Sequence, residues 1–144
     1  MSDKGWKAAE RRMARNAGIP ARAPFSSRVD CVAFGVSTGG PRALEDVVPL
    51  LPTDLGVPMV MVQHMPATFT QMLATRLSRR TNARVIEAED GMPLTSGTLH
   101  IAPGSRHLTL RRESTSVVCR LTDDPPEHSC RPSVDVLFRS AAKV

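Results

Sequence analysis

Apolar positions fall into short uninterrupted runs, and between them lie stretches where apolar residues recur with a helical period. Val29 to Val36, Val57 to Gln63 and Ala83 to Ala88 are brief runs rich in branched side chains, the texture of strands buried on both faces. After the first run, Leu44, Val47, Val48 and Leu51 share a helical face; Pro41 suits a first turn and Pro49 ends the helix near Val48. After the second, Thr68-Phe69-Thr70-Gln71 has capping-box spacing, and Phe69, Met72, Leu73 and Leu77 supply an apolar face. Parallel neighbours need crossovers, so this βαβα order predicts an α/β fold with a doubly wound, mainly parallel sheet.

From Thr98 the pattern shortens to Thr98 to Ala102, His107 to Arg112 and Ser116 to Thr122. The last two alternate and read as a β-hairpin. Asp123 to Pro132 is a polar, proline-containing loop, after which Ser133 is placed to cap a helix with Val134, Leu137, Phe138 and Ala141 on one face. Such a helix normally leads into a further strand, so the sheet is expected to lack its last strands.

Charge changes the picture at one end only. Residues 1–28 hold seven basic side chains against two acidic ones, which accounts for the whole net charge of +5 and leaves the body neutral. We read 1–28 as a basic leader or linker: it lacks sustained periodicity, and a solvated helix over Lys7 to Ala17 would end at Gly18 and Pro20. A neutral body, in a chain with only four Phe and one Trp, offers neither a phosphate-binding surface nor a stacking platform, which argues against nucleic acid. At 144 residues the chain has room for one domain, spanning 29–144, and it has no transmembrane run or secretory signal. Cys31, Cys119 and Cys130 are too few and too irregular for a disulfide framework or a C-x-x-C site. A cytoplasmic protein with reduced thiols, no metal, no cofactor and no membrane insertion is expected.

The candidate chemistry sits where two apolar runs end. Gly35-Val36-Ser37-Thr38-Gly39 fits the G-x-S-x-G elbow, in which small neighbours let the chain turn sharply and present a serine above the sheet. The amides that follow, at a helix N-terminus, are placed to stabilise an oxyanion. The plainer reading is a glycine turn with a capping serine. A serine hydroxyl needs a neighbouring base, and His64 closes the second run just before Met65-Pro66. If the two strands are parallel, Ser37 and His64 emerge at one sheet edge, where open α/β sheets place their sites. His100, His107 and His128 read as ordinary polar residues. His128 and Cys130 lack the second pair of ligands that a metal site needs. Arg76-Leu77-Ser78-Arg79-Arg80 reads as a solvated helix end, with docking of an acidic protein as the sharper alternative.

Taken together these blocks resemble the catalytic domain of bacterial chemotaxis protein-glutamate methylesterases, the CheB type. The resemblance runs from about Val32 to Ala142 through Gly35-Val36-Ser37-Thr38-Gly39-Gly40-Pro41, Val62-Gln63-His64-Met65-Pro66, Glu87-Ala88-Glu89-Asp90-Gly91, Ile101-Ala102-Pro103-Gly104 and Arg131-Pro132-Ser133-Val134-Asp135-Val136-Leu137-Phe138. It implies a Rossmann-like domain that hydrolyses glutamate γ-methyl esters on methyl-accepting chemotaxis receptors, releases methanol, often deamidates receptor glutamines and needs no cofactor. It also implies Ser37 as nucleophile, His64 as general base and the Thr38 amide as an oxyanion contact.

The sequence departs from the family pattern twice. No phosphorylatable receiver domain fits into residues 1–28, so a receiver would be encoded separately. The family's triad aspartate belongs to a later Gly-Met-Gly-x-Asp-Gly segment that this sequence does not contain, so 29–144 reads as a C-terminally incomplete catalytic domain of doubtful activity. Asp30, Asp46, Asp90, Asp123, Asp124 and Asp135 do not match the triad position, and none is assigned to it. The alternatives are a catalytically impaired receptor-binding remnant and an unrelated small-ester α/β esterase, whose acid would have to be Glu45, Asp46 or Asp54.

Overall fold

The computed structural model describes residues 29–52 and 55–144; the leader expected over 1–28 and the candidate acid Asp54 lie outside the described residues. Four parallel strands, β1 (Val32–Val36), β2 (Met59–Gln63), β3 (Arg84–Glu87) and β4 (Thr98–Ile101), form a sheet in the order β1-β2-β4-β3. β5 (His107–Glu113) and β6 (Ser116–Thr122) form the expected antiparallel hairpin. Helices α1 (Gly40–Val47), α2 (Ala67–Ser78) and α3 (Val134–Ala141) complete the fold. None of the described helices is long and apolar enough to cross a membrane.

β2 is buried at all five positions, as a central strand covered on both faces must be. One face packs Met59, Met61, Leu99 and Ile101 against Leu44 and Val48 from the α1 region and Leu73, Ala74 and Leu77 of α2. The other packs Val60 and Val62 against Leu108, Leu110 and Cys119 of the hairpin and Leu137 of α3. Each large side chain buried in this way contributes about 1.5–3 kcal/mol relative to exposure. The two layers hold the strand ends rigidly, and the candidate chemistry lies at those ends.

Three predicted helix faces are corrected in part. Phe69 and Met72 are 52% and 65% exposed, and the inward positions of α2 are Thr70, Leu73, Ala74 and Leu77. The expected capping box does not form: α2 starts at Ala67 after Pro66, with no side-chain cap. Thr70 instead turns inward, where its hydroxyl lies 2.5 Å from Glu87 Oε1 and accepts the Gly104 N–H at 3.1 Å, which rotates Phe69 out to solvent. Val47 and Phe138 are likewise exposed, because α1 and α3 bury Leu44 and Leu137 at their centres. Ser133 occupies the N-cap position of α3 without a side-chain capping bond.

His100, expected to be an ordinary polar residue, is 1% exposed on β4. Its Nε2 accepts the Thr95 N–H at 3.3 Å, and its Nδ1 is buried without a partner among the described residues. Burial foremost, and then the Arg84 charge, lower its pKa from 6.5 to about 4. Between these values the unfolded chain takes up a proton that the folded protein refuses, so stability falls as the pH drops through this window. We expect urea unfolding to show about 2–3 kcal/mol less stability at pH 4.5 than at pH 7 from this group. The check is that this part of the pH slope disappears in His100→Gln.

Candidate active site

The register of β1 against β2 builds the site. Val36 pairs with Gln63, so the next residues, Ser37 and His64, leave neighbouring strands side by side, and the His64 N–H donates to Val36 C=O at 3.1 Å. Ser37 Oγ lies 3.2 Å from His64 Nδ1. Ser37 and Thr38 are exposed at this edge, and His64 is half-buried behind them. The chain then turns at Gly39, whose φ of +79° is a left-handed conformation that glycine adopts without steric cost. The expected sharp turn thus starts at Ser37, whose carbonyl accepts the Gly40 N–H at 2.9 Å, with the left-handed residue at Gly39 and not at the serine.

For Nδ1 to accept a proton from Ser37, the other imidazole nitrogen must carry the ring's hydrogen. That atom, Nε2, is buried and has no hydrogen-bond partner among the described residues. Four of the acids weighed from sequence, Glu45, Asp90, Asp123 and Asp135, face other partners. Glu45 pairs with Arg76 at 2.6 Å and Arg80 at 2.9 Å, so these two arginines, solvated as expected, also tie the end of α2 to α1. Asp90 braces the hairpin by accepting the Leu121 N–H at 2.8 Å and Arg120 at 3.1 Å. Asp123 holds Arg106 at 3.1 Å, and Asp135 lies 3.9 Å from His128.

The loop over residues 123–133 contributes a group that spacing did not reveal. Cys130 Sγ lies 3.6 Å from His64 Nδ1, the nitrogen that also faces Ser37. His107, read from sequence as unremarkable, is 1% exposed and anchors this loop. The Ser133 N–H donates to its Nδ1 at 3.1 Å, which fixes the hydrogen on Nε2, 3.1 Å from the Pro125 carbonyl. Arg131 adds bonds to the carbonyls of Asp123 and Asp124 at 2.9 and 3.1 Å. His128 points elsewhere, toward Glu127 and Asp135, and shares no site with Cys130.

Beside the serine and histidine runs an open, mainly apolar cleft of about 530 Å³. Pro41 and Met65 line it next to the pair, and Phe69, Met72 and Arg76 of α2, with Arg79 just beyond the helix, extend it. The exposed Phe69 and Met72 therefore belong to this cleft and not to the core.

Comparison with known proteins places these features in a family. The chain is 52% identical over 113 residues to a protein-glutamate methylesterase/protein-glutamine glutaminase of Geobacillus kaustophilus, covering 78% of this chain and 32% of that protein. A protein of the same name from Desulfotalea psychrophila is 46% identical over 115 residues, with the same coverage of each chain. The chain thus spans about a third of the length of these relatives. Among solved structures, the CheB methylesterase catalytic domain of Thermotoga maritima superposes with a TM-score of 0.78 at 40% identity, covering 81% of this chain and 62% of that one. The sequence profile of the CheB methylesterase family matches residues 32–144, and the chain belongs to that family.

Proposed function

We propose that this chain carries the serine and histidine of a protein-glutamate methylesterase, with glutamate γ-methyl esters of methyl-accepting chemotaxis receptors as substrate and receptor glutamine amides as a second one. The observation that carries this reading is the 3.2 Å approach of Ser37 Oγ to His64 Nδ1 at the exposed edge of the parallel sheet. Ser37 Oγ attacks the ester carbonyl while His64 Nδ1 takes its proton. The Thr38 N–H, at the turn into α1, stabilises the oxyanion. His64 then gives the proton to the departing methoxide, and water releases the glutamate from Ser37; an amide would lose ammonia by the same route. The names of the relatives support both substrates. The cleft lined by Pro41, Met65, Phe69 and Met72 suits a protein segment around the ester better than a small ester alone.

The test measures methanol release from a methyl-esterified receptor segment and hydrolysis of a small activated ester, for the wild-type chain and Ser37→Ala. Release from the receptor segment that depends on Ser37 supports the reading. Hydrolysis of the small ester with no preference for the receptor would instead select the unrelated esterase. His64 Nε2, without a partner among the described residues, favours a second reading, in which the chain binds receptor with impaired turnover; binding without serine-dependent release would select it.

Cys130 supplies an independent check on the geometry. Burial pushes the Cys119 thiol up to about 12, and burial together with Asp30 raises Cys31, so both are poor thiolates at neutral pH. Carboxamidomethylation of Cys130 is expected to crowd His64 and to slow the Ser37-dependent reaction at least about tenfold, as small misplacements of reacting groups do. Kinetics of wild type and Cys130→Ala, each treated with iodoacetamide, check this: the variant should resist the reagent.

A further inference from the structure

We infer that Gln63 is a positioning residue that orients both halves of the site, and above all the Thr38 amide; this rests on the proposed role of Ser37 and His64. Gln63 ends β2, is 2% exposed and points away from solvent. Its Nε2 donates to the Ser37 carbonyl at 3.1 Å and to the His64 carbonyl at 3.2 Å. One side-chain amide thus holds the peptide groups that directly follow the nucleophile and the base. The Ser37 carbonyl also accepts the Gly40 N–H at 2.9 Å, so the turn is pinned from two directions.

The consequence follows from peptide geometry. In a trans peptide the carbonyl of one residue and the N–H of the next point in opposite directions. Holding the Ser37 carbonyl inward against Gln63 turns the Thr38 N–H outward, to the exposed side of the turn where Ser37 meets substrate. The same constraint on the His64 carbonyl fixes the backbone from which the imidazole projects.

Two further observations show that the arrangement is specific. Gln63 Oε1 is buried with no partner among the described residues. Flipping the amide would press that oxygen against two carbonyl oxygens, so the fold tolerates an unpaired acceptor to keep the donors where they are. A Cβ added to Gly40 would lie 2.0 Å from Oε1, so only glycine at the start of α1 leaves room for this side chain.

The experiment compares wild type, Gln63→Met and Gln63→Glu, with folding checked by urea unfolding. Two readouts are taken: kcat and KM for methanol release, and the rate at which a fluorophosphonate labels Ser37. Gln63→Met, similar in size but unable to donate, is expected to lower kcat and the labelling rate about 10- to 100-fold with KM changed less than about threefold. Gln63→Glu separates orientation from packing, because only its protonated form can donate to a carbonyl. The ratio of its labelling rate to that of wild type is therefore expected to rise as the pH falls. A ratio independent of pH overturns the inference even if Gln63→Met fails to fold, and so does a Gln63→Met protein whose rates stay within threefold of wild type. If wild type releases no methanol but Ser37 still labels, the proposed substrate fails while the labelling comparison still decides the role of Gln63. A wild-type Ser37 that labels no faster than the other serines overturns that role as well.

Discussion

Ser37→Ala, His64→Ala and the double variant are expected to reduce methanol release from methylated receptor to a common floor, at least about 10⁴-fold below wild type. In the proposed mechanism serine and base act as one unit: without the hydroxyl, His64 would have no proton to accept, and without the imidazole the hydroxyl would be a poor nucleophile at neutral pH. Their 3.2 Å separation is the structural basis for this coupling. Single-turnover rates of the three variants test it, and losses that multiply in the double variant would mean that the two residues act separately. The residual rate of either single variant reports what the Thr38 amide and substrate binding supply alone.

Giving His64 Nε2 a carboxylate partner is the second large effect. In the proposed mechanism Nδ1 takes the serine proton and the imidazole gains a full positive charge, while its buried Nε2 faces no acceptor among the described residues. An unmatched buried donor costs about 1–3 kcal/mol, and more when charged. In related chemistry, an acid that orients the histidine and stabilises the imidazolium is worth about 10⁴ in turnover. Continuing the chain beyond Val144 with a segment carrying the Gly-Met-Gly-x-Asp-Gly pattern that the family resemblance implies is therefore expected to raise kcat by about 10²–10⁴. Changing the aspartate of that added segment to asparagine should cancel most of the gain. An extended protein no faster than the chain itself would show that Nε2 is not what limits the rate.

The sequence made the ends of β1 and β2 legible because each closes an apolar run, and parallel pairing carried the two chemical groups to the same edge. The order of the sheet was not legible: β4 inserts between β2 and β3, and nothing local in Thr98 to Ile101 specifies those neighbours. Helical period located α2 and its inward Leu73 and Leu77, but not the rest of that side. Thr70, a polar residue, took a buried place through Glu87 and Gly104, which turned Phe69 and Met72 into the cleft wall. His100 and His107 looked alike as isolated polar positions, yet one lies inside the sheet and the other anchors the loop before α3. Cys130 reaches His64 across 66 residues of chain, a contact made by loop packing and by no motif.

The central claim is that Ser37 forms a bond to the substrate acyl group. The direct measurement is to mix the protein with a methyl-esterified receptor peptide, quench in acid within the first turnover, and map the adduct by mass spectrometry. A peptide containing Ser37 that carries the mass of the glutamyl-linked substrate less methanol is the predicted result, absent in Ser37→Ala. Methanol released with no adduct on Ser37, and undiminished in Ser37→Ala, would contradict it.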